Sequence, residues 1–541
     1  MTAKIESQPT SGYRWFVLGD INGFFTLAFD NLTVLSFLAG ILIFAFKFPA
    51  DVVYTRMFPG TAFGVLFGDI VYTWMAFRLA KKMGKSTITA MPLGLDTPST
   101  IGIALVVLGP AFLGLKADGM SEHDAAMMTW YIGMATMVIM GVVKVGFSFM
   151  GSWIQRIVPQ AGLLGSLAGI GLALIGFVPF VDLLGIPIIG MVALGLIFYT
   201  LIARIDLPGK IPGVFAAVVA GTVLYYILGP LGWAGGTYTP PPAFELHFGL
   251  PLPTFAFIHG LGPALKYLPL SIPFGLLTIA GGINVTESAR VAGDEYNVRQ
   301  ILLTEAVATL VAGICGGVAQ QTPYIGHPAY KKMGCRAGYT LITGIVIGLG
   351  GIFGYVSFFV ELIPRAAIAP ILLFVGLDII SQSFRYTPPR HLMAVALAFF
   401  PTVARLIAIK LSNPDFVPPD VFQKLLTLPG KALPELLVTI ALGNGFIITG
   451  MLWGGFLAEL IDRHFKKSII YLIILAGLTM FGVIHSALPD GSMYFPWMLS
   501  GLAQGICYQF TTGYLVLAVM IFLLSRTSAS REPFRLEAGE E

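Results

Sequence analysis

Apolar runs long enough to cross a membrane recur along this chain from residue 22 to residue 525. Each crossing of the roughly 30 Å hydrocarbon layer needs about 20 predominantly apolar residues in a helix. Hydrophobic residues make up 56% of the chain and charged residues 11%, against about a quarter charged in soluble domains. Runs such as SIIYLIILAGLTMFG (468–482) lack the alternation of membrane β-strands. The sequence therefore predicts an all-α polytopic membrane protein with no room for a large soluble domain.

Lysine and arginine are concentrated in alternate loops. If the N-terminus is cytoplasmic, the basic segments all fall on the cytoplasmic side and the opposite loops are poorer in basic residues, as the positive-inside rule requires. These segments are 78–85, 203–210, 331–336, 384–391 and 462–467. We therefore expect a multi-pass protein of the plasma (inner) membrane with both termini in the cytoplasm.

Two polar motifs occur in the same order in both halves of the chain, on either side of a predicted external loop at 230–270 that is rich in proline and glycine. One motif reads Thr-x-Ala and then Asn-x-Thr, at 26–33 and again at 278–286. The other is LDTPSTIG (95–102) in the first half and QQTPYIGH (320–327) in the second. Seven predicted spans separate the copies, so the second copy enters the membrane from the opposite side. Such inverted repeats are typical of secondary transporters, which bind substrate where interrupted helices meet.

The Thr-Pro pair in each copy predicts the start of a half-helix, because proline fits the first helical turn, where its missing N–H costs nothing. The residues before it would be extended, and membranes tolerate extended backbone only where it is buried in protein or lines a cavity. Half-helices starting at Thr97 and Thr322 would point two positive dipole ends at one site. The alternative is that QQTPYIGHPAYKKMG (320–334) is an ordinary polar loop.

Three segments resemble the uracil/xanthine permease family, also called the nucleobase–cation symporter-2 or nucleobase–ascorbate group, and in particular its adenine/guanine/hypoxanthine branch. The segments are TAMPLGLDTPSTIG (89–102), GGINVTESARVAGDEYNVRQ (281–300) and CGGVAQQTPYIGHPAYKKMGCRAGYT (315–340). The resemblance covers about residues 20–460. It implies a 7+7 inverted-repeat transporter in which a core domain moves like an elevator against a gate domain, and a homodimer. About two extra C-terminal transmembrane helices follow.

The resemblance implies a division of the chain into eight parts. They are a cytoplasmic N-terminus (1–20), the core domain (21–150 and 271–362), the gate domain (151–229 and 363–461), the external loop (230–270), the extra helices (462–525) and a cytoplasmic tail (526–541).

This chain departs from the family's pattern at two positions. The acid that the family places in the eighth helix matches Asn284 or, in a shifted register, Glu287. In the tenth helix the family commonly reads Thr-x-Tyr-x-Glu, and here Gly326 stands in place of that glutamate, with His327 next. These departures indicate a divergent branch, and the register of the eighth-helix acid stays open.

Polar groups inside membrane spans suggest function because they are costly there. Glu287 shares a helix face with Asn284 and could accept hydrogen bonds from a heterocycle or carry a coupling proton; the alternative is an ion pair with Arg290. Asp69 and Lys144 are predicted to pair with each other inside the core. The substrate-binding candidates are Asn284, Thr286, Glu287, Gln321, Thr322, Tyr324, His327, Asp96, Thr97 and Ser99, and the coupling candidates are Glu287, Asp30 and Asn31.

These features predict a secondary active transporter of a small polar planar heterocycle resembling a nucleobase. Protons are preferred to Na⁺ as the coupling ion because a carboxylate and a histidine offer protonation sites. The alternative is an inorganic or organic anion transporter of the same fold, which two positive helix ends would suit. The sequence has no nucleotide-binding motif, metal-ligand cluster or catalytic triad, so we expect neither an enzyme nor a metal, cofactor or nucleic-acid partner. The substrate and the choice between symport and exchange stay open.

Overall fold

The computed structural model describes residues 12–149, 160–234, 238–324, 326–413, 416–426, 432–489 and 491–527. Within these ranges the chain is helical apart from loops and one pair of short strands. The helices are α1 Gly19–Ala45, α2 Ala50–Met83, α3 Thr97–Ala117, α4 Glu122–Ser148, α5 Gln160–Gly185, α6 Pro187–Ile202, α7 Gly213–Trp233, α8 Phe257–Val291, α9 Val298–Ile314, α10 His327–Lys332, α11 Gly338–Phe353, α12 Tyr355–Leu362, α13 Arg365–Tyr386, α14 Pro389–Leu411, α15 Pro419–Leu425, α16 Ala432–Gly443, α17 Phe446–Ile461, α18 Phe465–Met480 and α19 Gly501–Leu524. The strands are β1 Leu93–Leu95 and β2 Gln321–Pro323.

The expectation of an all-α polytopic membrane protein is confirmed. In the described ranges ten helices are long and apolar enough to cross a membrane, and the bent pairs α11–α12 and α16–α17 raise the number to as many as 12. The helix α6 is shorter and also apolar, and a 7+7 plan with two additional helices would take its remaining segments from α9, α10 and α18.

The stretch predicted as an external loop at 230–270 is partly helical. The helix α8 already starts at Phe257 and contains Pro263. Its first turns lie against α4, where a Cβ added to Gly260 would be 2.1 Å from the carbonyl oxygen of Tyr131. The loop prediction was therefore wrong for 257–270, because packing against α4 outweighs the low helix propensity of glycine and proline.

Helix packing divides the chain into two groups. In the first group α11 packs on α1 and α2, α9 packs on α2 and α4, and α4 also contacts α8. In the second group α13 packs on α5, α6 and α7, while α17 packs on α5 and α14. The helices α18 and α19 pair with each other, and α18 contacts α17. The assignment of these groups to a core domain and a gate domain, and the movement of one against the other, stay predictions.

Glycine allows α2 and α11 to approach closely. A Cβ added to Gly348 would lie 2.6 Å from Leu66 Cβ, and one added to Gly351 would lie 2.4 Å from Ala62 Cβ. Small residues at membrane helix interfaces permit such backbone approach and the dispersion contacts that come with it. The interface therefore depends on the absence of side chains at these positions of α11.

Gly351→Ala should lower the thermal unfolding midpoint of the purified protein, because overpacking a tight interface costs about 1–3 kcal/mol. The matched control is Gly477→Ala in α18, where nothing lies within 4 Å of the added Cβ. There the midpoint should stay constant or rise, since alanine in a helix is favoured over glycine by roughly 0.5–1 kcal/mol. Equal effects of the two substitutions would contradict the close approach of α2 and α11.

Candidate functional site

Two extended segments, one from each half of the chain, cross each other inside the first helix group. The strands β1 and β2 are antiparallel, with Gly94 opposite Thr322 in the middle of the register. The ladder continues at both ends, where Asp96 N donates to Gln320 O (2.9 Å) and Tyr324 N donates to Pro92 O (2.8 Å). This pairing satisfies backbone groups that could not remain free within a membrane. We call this part of the protein the crossing.

The first Thr-Pro pair starts a helix, as expected. Thr97 is the first residue of α3, and Asp96 caps the helix by accepting a hydrogen bond from Ser99 N at 2.9 Å. An N-cap carboxylate satisfies one of the free donors at a helix start and interacts favourably with the helix dipole. An anionic ligand approaching this helix end would therefore meet the Asp96 carboxyl group.

The second Thr-Pro pair does not start a helix, so that prediction was wrong. Thr322 and Pro323 lie in β2, and α10 begins only at His327. Because hydrogen-bonded and non-hydrogen-bonded pairs alternate along an antiparallel ladder, Pro323 occupies a position that needs no N–H. Gly326, with a φ of 151°, then turns the chain into α10.

A buried ion pair lies beside the crossing and is hydrogen-bonded to it. Lys144 Nζ lies 3.2 Å from Glu305 Oε1, and both side chains are fully buried. Lys144 Nζ also donates to Gln321 O at 2.7 Å, so a helix of the first half is tied to the strand of the second. The predicted pair of Lys144 with Asp69 was wrong: Asp69 lies against α11, where a Cβ added to Gly344 would be 2.8 Å from its Cβ.

Gln320 joins this ion pair to the start of α3. Its Nε2 donates to Asp96 Oδ2 at 3.2 Å and to Ser99 Oγ at 2.8 Å, while its Oε1 lies 3.5 Å from Lys144 Nζ. From the sequence, Glu305 was interpreted as a residue at the boundary of its span, and Gln320 as a weaker candidate than Gln321 for contact with a heterocycle. The sequence did contain one signal, because Glu305 and Thr309 are four residues apart and therefore share a helix face. In the structure Thr309 Oγ1 also lies 3.3 Å from Lys144 Nζ.

The helix α1 brings Asp30 and Asn31 to the crossing. Asn31 Oδ1 accepts a hydrogen bond from Leu95 N at 2.9 Å. A Cβ added to Gly94 would lie 3.6 Å from Asp30 Oδ2. Asp30 is 2% exposed, and neither carboxyl oxygen has a hydrogen-bond partner among the described residues. A buried carboxyl group without a partner is costly when ionised, so a proton or a ligand is expected there.

Tyr324 follows β2 and is within electrostatic range of one acid from each helix group, Asp30 on α1 and Asp378 on α13. Asp378 accepts a hydrogen bond from Gln382 Nε2 at 2.6 Å. Both helix groups therefore place a carboxyl group in the wider surroundings of Tyr324.

The structure does not bring every candidate residue to the crossing. Glu287 forms the alternative ion pair, at 2.7 Å from Arg290, and its side chain is 43% exposed. Thr286 Oγ1 donates to Gly282 O of its own helix at 2.7 Å, and Asn284 is half-buried on α8. The amide of Gln321 points to α2, since its Nε2 donates to the carbonyl oxygen of Thr61. Those at or beside the crossing are Asp30, Asn31, Asp96, Thr97, Ser99, Thr322, Tyr324 and the main chain of Gln321.

His327 belongs to a separate buried cluster at the end of α8. Its Nε2 lies 3.2 Å from the carbonyl oxygen of Thr89, to which it donates, and 3.2 Å from Asp294 Oδ2. Lys331 also donates to Asp294. Burial alone would raise the pKa of Asp294, but hydrogen bonds from His327 and Lys331 outweigh burial and lower it below 3.8. These contacts favour a structural role for His327 over contact with substrate.

Comparisons with known proteins show no matching family model and no matching curated protein. The chain is similar in structure to the transmembrane domain of a cyanobacterium bicarbonate transporter, BicA (17% identity, TM-score 0.48, 72% of this chain and 96% of that chain). It is also similar to SLC26A9 (10%, 0.49, 72% and 62%) and to the murine Slc26a9 anion transporter in its inward-facing state (12%, 0.45, 76% and 68%). No family model therefore supports the resemblance to nucleobase permeases, and the substrate class stays a proposal.

Lys144→Met should strongly destabilise the protein, because it leaves Glu305 buried without its partner, at a cost of about 3–5 kcal/mol. The double variant Lys144→Met/Glu305→Gln removes both charges and should regain much of the lost stability. Thermal unfolding in detergent measures both effects. A double variant no more stable than Lys144→Met alone would mean that the ion pair is not what holds Lys144 in place.

Asp294 should stabilise the protein in a pH-dependent way. Its pKa is lowered from 3.8 on folding, so the contribution is present above the unfolded-state value and is lost as the pH falls through the lower folded-state value. The unfolding midpoint of wild type should exceed that of Asp294→Asn near neutral pH, and the gap should narrow below a pH of about 4. The control is Asp118→Asn at an exposed position. A gap that widens in acid would contradict this assignment.

Proposed function

We propose that the chain is a secondary active transporter that moves a small polar solute across the membrane together with protons. One observation carries this proposal. Three buried carboxyl groups, those of Asp30, Asp96 and Glu305, lie at the crossing or in its ion pair, against one buried ammonium group, that of Lys144. Buried carboxylates in excess of their partners are strongly unfavourable, so the excess groups need protons or cations. A site that gains and loses such protons can couple solute movement to a proton gradient.

The two helix groups support an alternating-access mechanism. The crossing belongs to the first group, and Asp378 on α13 of the second group is within electrostatic range of Tyr324. Substrate sites of inverted-repeat transporters lie where discontinuous segments meet, near the middle of the membrane. A solute bound beside Asp30 and Tyr324 would face the boundary between the groups, where relative movement could expose it to either side.

Two classes of solute are candidates for transport, nucleobase-like heterocycles and small anions. The acceptor oxygens of Asp30 and Asp378 and the aromatic ring of Tyr324 suit a nucleobase-like heterocycle with N–H donors. An anion could approach Asp30 and Asp96 only when their carboxyl groups are neutralised, which would make its uptake proton-dependent as well. Bicarbonate and anion transport are named for the similar structures described above, so both classes belong in the first experiment.

The test is uptake of radiolabelled uracil, hypoxanthine, bicarbonate and sulfate into proteoliposomes with an acidic exterior. Without a membrane potential, a gradient of one pH unit can drive about tenfold accumulation if one proton accompanies each solute. Asp30→Asn should remove the stimulation by the gradient while the protein stays folded, and Asp118→Asn at an exposed position should keep it. Full stimulation in Asp30→Asn, or accumulation driven only by Na⁺, would overturn the proposal.

A further inference from the structure

A cavity of about 390 Å³ lies between the two helix groups, away from the crossing. One wall comes from the C-terminal half of α3 and the early turns of α8, the other from α14, α16 and α17. Most of its lining is apolar, including Leu113, Leu270, Ile409, Phe422 and Phe446. Its size falls within the range of cavities that hold small organic ligands.

Two cationic side chains stand out in this lining. Lys266 is exposed, with its ammonium group 5.1 Å from the centre of the Tyr267 ring. Arg405 donates from Nη1 to Asn444 Oδ1 at 3.2 Å, and its buried Nε has no hydrogen-bond partner among the described residues. No aspartate or glutamate occurs among the described lining residues, and neither cation has an ion-pair partner in the described part of the chain. Positive charge therefore faces an apolar cavity without a described counter-ion.

The segment between α18 and α19 helps to close this cavity. Asn444 lies at the break between α16 and α17, where the chain bends by 83°. Its Nδ2 donates to the carbonyl oxygens of Ser486 (2.9 Å) and Leu488 (3.0 Å), in the segment that follows α18. Pro489 and Gly491 of that segment then form part of the lining. The segment that joins the two additional helices thus completes one wall of the cavity.

We infer that this cavity binds an organic anion, namely a carboxylate carried on an apolar body. A guanidinium group with an unused donor is well suited to a carboxylate, and the ammonium group of Lys266 adds a second positive charge. The apolar lining would remove the rest of the ligand from water. Aromatic acids from solution and fatty acids from the bilayer share this chemistry. The site is distinct from the crossing and does not depend on the proposed transport function.

Occupancy of this cavity should restrain transport. A ligand there would contact α3 and α8 of the first helix group and α14, α16 and α17 of the second group at the same time. If the groups move against each other, the ligand favours the arrangement in which both walls touch it. This consequence, unlike binding itself, rests on the proposed function: the inferred ligand is an inhibitor of transport rather than a transported solute.

The test measures thermal stabilisation of the purified full chain by benzoate and by octanoate, with benzamide as the neutral counterpart of benzoate. A ligand that binds only the folded state raises the unfolding midpoint with concentration. Benzoate should stabilise wild type more than benzamide. Arg405→Met should weaken benzoate binding by about tenfold, as expected for a lost hydrogen bond to a charged group, and Arg405→Lys should weaken it less.

Further variants separate this site from the crossing. Lys266→Met changes an exposed residue, so it tests the site even if Arg405→Met fails to fold, and it should also weaken benzoate binding. Asp30→Asn should bind benzoate as wild type does, whatever becomes of transport. Asp490→Asn, at a position outside the described residues, removes the acid between Pro489 and Gly491 in sequence and should keep or strengthen benzoate binding.

If octanoate raises the unfolding midpoint and benzoate does not, the carboxylate that binds in the cavity comes from the bilayer rather than from solution. Equal shifts with benzoate and benzamide, or loss of the benzoate shift in Asp30→Asn with retention in Lys266→Met, would overturn the inference.

Discussion

The structure depends on satisfying backbone hydrogen bonds where two chain segments leave the helical conformation inside the membrane. In hydrocarbon an unpaired N–H or C=O costs several kcal/mol, so extended backbone cannot exist there alone. Here β1 and β2 supply each other's partners, with one further pair at each end of the ladder. The crossing can therefore form only when both halves of the chain are folded together.

Side chains from four helices then secure this ladder. Asn31 on α1 accepts from Leu95 N, Lys144 on α4 donates to Gln321 O, Asp96 caps α3, and Glu305 on α9 balances Lys144. All but the cap of α3 join an element of one half of the chain to a strand or to the opposite half, and Asp96 also accepts a hydrogen bond from Gln320 Nε2 of the second half. The same side chains place more carboxyl groups than cations around the crossing, and that imbalance links the fold to the proposed coupling.

Sequence patterns predicted the helical membrane class, the paired polar motifs and the helix start at Thr97, because hydropathy and proline chemistry are local signals. They could not distinguish the two Thr-Pro pairs, since the strand position of Pro323 depends on its pairing with Leu93 far away in the chain. The partner of Lys144 depends on how α2 and α9 are rotated, which the sequence does not specify, so the prediction chose Asp69 instead of Glu305. Glu287 seemed central because it is an acid within an apolar span, yet it lies beside Arg290 and is partly exposed.

The bend between α16 and α17 sets the limits of the folding unit. At Asn444 the chain leaves the helical pattern, and its side-chain amide and main-chain carbonyl find partners in the segment after α18, through Ser486, Leu488 and the amide of His485. A chain cut after α17 would leave these groups without partners at a point enclosed by apolar helices. The two C-terminal helices are thus as much a part of the folded unit as the helices before them, and their removal would destabilise the bend at Asn444 rather than only shorten the chain.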